Sequence, residues 1–66
     1  MSIVKVIEVI SEGSSIEEAL NSALDEASKT LDGIKQINVD HIEAKVEQNK
    51  ITKFRVVSKI SFVVNH

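Results

Sequence analysis

A single segment of this chain repeats at the helical period, and the segments on both sides of it read as strand. Ile16, Ala19, Leu20, Ala23, Leu24, Ala27 and Leu31 recur at steps of three and four, which lines them up as one apolar stripe. Asn21, Asp25 and Lys29 fall on the other side. Ser14 has Glu17 three residues on, and Ser15 has Glu18, so either register gives a capping box. Both glutamates sit in the first turn, where the helix dipole favours them. Gly33 is placed to stop the helix. One helix must then provide all the cover that the strands receive. Its alanines let it lie close to whatever it packs on.

The first strand is expected over Ile3 to Ile10, IVKVIEVI, from its shortness and β-branched density. SEGSS after it reads as a loop. A second strand is expected from Ile34 to Glu47. Ile37 and Val39 point one way, whereas Ile42, Ala44 and Val46 continue in the opposite parity. A β-bulge or strong bend near Asp40 and His41 accounts for the slip. Gln48 and Asn49 suit a tight turn, Asn tolerating positive φ. In the third strand, Lys50 to Val64, Phe54, Val56, Ile60, Phe62 and Val64 share a face that Ser58 interrupts. The fold class is α+β, in the order β-α-β-β, with a three-stranded antiparallel sheet around one helix. The whole chain, 1–66, reads as one domain.

Size then makes demands. For a chain of 66 residues, an ordering cost of about 1.5 kcal/mol per residue roughly matches what apolar burial returns. There are no cysteines, hence no disulfide and no cysteine-based metal site. Strands longer than one helix can cover, with apolar residues left on the far parity, call for oligomerisation. The net charge of -2, the lack of a basic cluster and the presence of two Phe with no Trp or Tyr argue against nucleic acid as a partner. Lys5 and Glu8 within the first apolar run argue against a signal peptide or membrane span. A soluble, cytoplasmic protein is expected.

Catalysis finds little to work with. No G-x-S-x-G motif occurs, and two glycines in total cannot build a phosphate loop. Ser14 and Ser15 read as caps, and Glu17 and Glu18 as their partners. His41 is the one internal histidine. Asp40, His41 and Glu43 lie together in DHIE and offer carboxylates and an imidazole to a divalent metal ion, or else a solvated strand surface. Lys53, Arg55 and Lys59 alternate along one strand face, as in a salt-bridged interface or lumen lining.

KVIEVI, then SSIEEALNSALDEASKTL, then ITKFRVVSKISFVV, in this order and spacing, resemble the dodecin family over essentially the whole chain. The resemblance implies a small β-α-β-β protein that assembles as a hollow homododecamer and stores flavin, riboflavin or FMN, as stacked pairs between subunits. It also implies a non-enzyme. In that family a tryptophan at the start of the second strand sandwiches the flavin ring, and a glutamine after an aromatic in the last strand bonds the ring edge. Those positions fall on Gln36 and on Arg55, after Phe54. Ile16 likewise stands where the family often has a tryptophan. Stacking contributes on the order of 1–3 kcal/mol per contact, so its loss weakens flavin binding by roughly ten- to a hundredfold. Gln36 can still bond a ring edge, and Arg55 can stack or pair with a phosphate. Alternatives are a shell that binds a divalent metal or another small ligand, and a purely structural oligomer.

Overall fold

The computed structural model describes residues 2–65, and His66 lies outside them. Strand β1 spans Ser2–Gly13, helix α1 Ile16–Ser28, strand β2 Ile34–Glu47 and strand β3 Lys50–Asn65. The strands form one antiparallel sheet in the order β1-β3-β2, so the longest strand is central. The expected β-α-β-β order and antiparallel sheet are present.

Ser15 is the residue that caps α1: its Oγ accepts the Glu18 backbone N–H at 3.0 Å. Ser14 serves the same turn differently, donating its hydroxyl to the Glu18 carboxylate. The helix ends at Ser28, three residues before the end of the apolar stripe. The Ser28 hydroxyl turns back onto the Asp25 carbonyl, and Thr30 and Leu31 both donate to the Ala27 carbonyl, which tightens the last turn. Leu31 reaches the core from that turn rather than from the helix. Gly33 is thus no helix cap. It takes φ +75° in the connection to β2, where its carbonyl accepts the Val63 N–H at 3.0 Å.

The core is thin because the helix lies close to the sheet. Ala19, Ala23 and Ala27 are its buried residues. They face Val56, Ile60 and Phe62 of β3, all buried, and the half-buried Ile7 and Val9 of β1. β1 runs on through the segment expected to be a loop. Gly13 pairs with Phe54, and a Cβ on Gly13 would stand 2.7 Å from the Ala19 backbone nitrogen. The small residue is what lets the strand pass under the helix start. Ser11 and Ser58, both buried on this side, also take little room.

The helix packs on β1 and, less extensively, on β3. At ~1.5 Å per residue its 13 residues span far less than the protein's 52 Å length. Ile34 and Ile37 of β2 still pack on the core, but the inner side of β2 beyond them is left bare: Val39, Ile42 and Val46 are 39, 45 and 59% exposed.

Three irregularities shape the β2–β3 hairpin. Asp40 is an extra residue between the pairs Val39–Ser58 and His41–Val57, so Ile42 and Ala44 regain the face of Ile37 and Val39. The predicted slip is thus a bulge that keeps one apolar face continuous. Lys35 is a second extra residue, and Thr52 on β3 a third. Gln48 and Asn49 close the hairpin with φ of 50° and 63°, as a two-residue turn of this hand needs.

Replacing Gly13 with Ala is expected to lower stability by about 1–3 kcal/mol, because backbone must move to admit the methyl group. Ser15→Ala is expected to cost about 1 kcal/mol. Denaturant unfolding at one fixed protein concentration measures both. A neutral Gly13→Ala change contradicts the close helix approach.

Candidate functional site

The face of the sheet away from α1 carries the functional side chains, in rows set by the strand register. Glu12 of β1, Arg55 of β3 and Glu43 of β2 make one row. Ile10, Val57 and His41 make the next, then Glu8, Lys59 and Asn38, then Val6, Ser61 and Gln36. Val4 and Val63 follow. Val4, Val6 and Ile10 are 61, 54 and 62% exposed, so this face carries apolar as well as charged side chains.

Gln36 follows the Lys35 bulge, is exposed, and stands opposite Ser61. Arg55 lies six residues away along β3, about 20 Å at the usual strand rise. One chain therefore places both residues on one face without bringing them together.

Arg55 is ion-paired. Its Nε donates to a Glu12 carboxylate oxygen at 3.2 Å, and its Nη2 lies 3.1 Å from the same oxygen. Lys53 Nζ reaches that carboxylate at 3.3 Å. Hydrogen bonds from Arg55 first and Lys53 second hold the Glu12 carboxyl below its ordinary value. Glu43 is opposite Arg55 in the ladder, but it makes none of the described ion pairs.

Asp40 sits in the bulge and pairs with Lys59 at 3.6 Å. His41 and Glu43 follow on the strand, opposite Val57 and Arg55. Among the described residues no three His, Cys, Asp or Glu side chains gather so as to hold a metal ion. The cations Lys53, Arg55 and Lys59 are each salt-bridged within the chain.

Glu12 went unread because SEG looked like a loop. Its signal was parity: Val4, Val6, Glu8, Ile10 and Glu12 are all even positions, so continuing the strand by two residues puts Glu12 on the outward face. Glu12, Glu43, Ala44, Lys45, Lys53 and Arg55 line a shallow depression of about 240 Å³ at the hairpin end.

Fold and surface together define a small α+β unit with exposed apolar side chains on both faces of its sheet. The sequence profile of the dodecin family matches residues 3–65. The chain belongs to the dodecin family. No curated protein matches it. Among solved structures, a dodecin variant of T. thermophilus with one arginine changed to alanine is similar at TM-score 0.91 and 22% identity, with 100% of each chain covered. The dodecin of Streptomyces coelicolor is similar at TM-score 0.89 and 21% identity, over 98% of this chain and 94% of that one. The dodecin of Streptomyces davaonensis is similar at 0.88 and 17%, over 98% and 97%. Dodecins are flavin-binding proteins rather than enzymes, and the chain is a non-enzyme of that family. Among the described residues no helix is long and apolar enough to cross a membrane.

Arg55→Met is expected to move the Glu12 titration up towards the ordinary glutamate value, and Lys53→Met to move it less, as read by NMR of the carboxyl carbon. A depressed carboxyl stabilises the fold above the unfolded-state pKa, and that contribution is lost as pH falls through the folded value. Arg55→Met should therefore flatten the acid limb of the stability curve. An unchanged Glu12 titration in Arg55→Met contradicts the assignment.

Proposed function

We propose that this protein assembles as a cytoplasmic homododecamer and stores a small flavin-type ligand, riboflavin or FMN, at sites between subunits, with Gln36 and Arg55 as the altered contact residues. The observation that carries this reading is the outward face. Gln36 and Arg55 lie on it about 20 Å apart at the usual strand rise, with exposed Val4, Val6 and Ile10 on the same face. A pocket that uses both residues takes them from different chains. Val6 and Ser61 in the Gln36 row supply an apolar surface and a hydroxyl beside the amide.

Without a stacking aromatic the ring rests on aliphatic surface, and the amide of Gln36 supplies an edge contact. Flavin binding is then weaker than stacking would make it. A divalent metal at Asp40, His41 and Glu43 calls for copies gathered around a symmetry axis, because Lys59 already engages Asp40 within the chain.

Native mass spectrometry of the untagged protein with riboflavin and with FMN tests the reading. A flavin-bearing dodecamer supports it, and a dodecamer that takes up metal but no flavin overturns the ligand assignment. Gln36→Trp is expected to tighten flavin binding by roughly ten- to a hundredfold, with quenching of flavin fluorescence as the readout. No gain in this variant places Gln36 outside the pocket.

A further inference from the structure

We propose that Asp32 is a site of spontaneous isoaspartate formation, through a cyclic imide closed by the Gly33 nitrogen. Asp32 and Gly33 lie in the short connection between α1 and β2, and both are exposed. The Asp32 carboxylate makes none of the described ion pairs or side-chain hydrogen bonds. The Gly33 nitrogen donates none of the described hydrogen bonds in this connection. Glycine has no side chain to shield that nitrogen. Nor does the fold admit another residue there: φ is +75°, and a Cβ would stand 2.8 Å from the Val63 carbonyl oxygen. The architecture thus fixes the glycine that makes an aspartate before it reactive. Asp25 and Asp40, by contrast, lie within α1 and β2 and precede Glu26 and His41.

The Gly33 nitrogen attacks the carboxyl carbon of Asp32 in its protonated form. A C–N bond forms, and the carboxyl hydroxyl leaves as water with the amide proton. Water then reopens the imide. Opening at the side-chain carbonyl restores Asp32. Opening at the main-chain carbonyl leaves the chain linked through the side chain and sets the main-chain carboxyl free. No oxidant or cofactor takes part, and the charge is unchanged. The backbone path gains an atom, the Asp32 Cβ. Both sides of this point are pinned. Leu31 and Ile34 pack on the core, and the Gly33 carbonyl accepts the Val63 N–H at 3.0 Å. The lengthened path draws Gly33 away from Val63 and opens that hydrogen bond.

The reaction needs no ligand, so it stands or falls apart from the storage reading. The test is a prolonged warm incubation of the native protein near neutral pH, sampled over time. Trypsin cleaves after Lys29 and Lys35 and releases residues 30–35 as one peptide. A second peptide of identical mass is expected to grow with time. Electron-transfer fragmentation and methylation by an isoaspartyl methyltransferase identify it. The rate is expected to be of the same order as in the chain unfolded in denaturant. Asp32→Glu, whose larger imide ring closes far more slowly, should abolish the second peptide. Amide exchange at Val63 should quicken in proportion to the isoaspartate content. An isomer that forms in the unfolded chain but not in the native protein overturns the proposal, as does one that persists in Asp32→Glu. Unchanged protection of Val63 in isomerised protein overturns the structural consequence.

Discussion

The close seating of α1 on β1 and β3 is the constraint from which the rest of this structure follows. Three alanines form the helix face, and Gly13 leaves no Cβ where β1 passes the helix start. Small residues permit a short interlayer distance, and they also make the core small. Val56, Ile60 and Phe62 supply most of its bulk. A helix seated so closely on two strands cannot shelter the third. The exposed inner side of β2 beyond Ile37 is the direct result, and the outward face, with its valines and isoleucine, lies on the side that the helix does not touch. Both faces of the sheet therefore keep exposed apolar side chains, which the proposed assembly would cover.

The bulges decide which chemistry lies on which surface. Without Asp40 as an extra residue, either Ile37 and Val39 or Ile42 and Ala44 would have to point outward. With it, β2 keeps one apolar side along its length, and Gln36, Asn38, His41 and Glu43 share the other. The Thr52 bulge does the same at the far end of the hairpin, setting Lys45 against Lys53. Polar groups are thus gathered on the outward face in rows, with the ion-paired Glu12–Arg55 row at one end and the Gln36 row towards the other.

Much of this was legible in the sequence. The parity slip near Asp40 and His41 called for a bulge or a strong bend there, because two incompatible alternations have to meet somewhere, and the register shows the bulge at Asp40. The turn at Gln48 and Asn49 followed from the two strand patterns on either side of it. The helix start was legible as a capping box, but the choice between Ser14 and Ser15 was not, since both have a glutamate three residues on. The helix end and the length of β1 were misread for related reasons. Leu31 keeps the helical spacing although it enters the core from a turn, and SEG has loop composition although Gly13 is needed beneath the helix. That second misreading hid Glu12, the partner of Arg55. The Lys35 and Thr52 bulges also slip the parity, between Ile34 and Ile37 and between Ile51 and Phe54, but one apolar residue at the strand end beyond each bulge is too little alternation to read. The separation of Gln36 and Arg55 became visible only once the register was fixed.

The central claim is that folding of this chain is completed by other copies of it. Equilibrium unfolding followed by circular dichroism and by analytical ultracentrifugation, over a hundredfold range of protein concentration, tests it most directly. The account predicts a midpoint that rises with concentration, and loss of secondary structure that coincides with dissociation. A folded monomer whose unfolding midpoint is independent of concentration would contradict it.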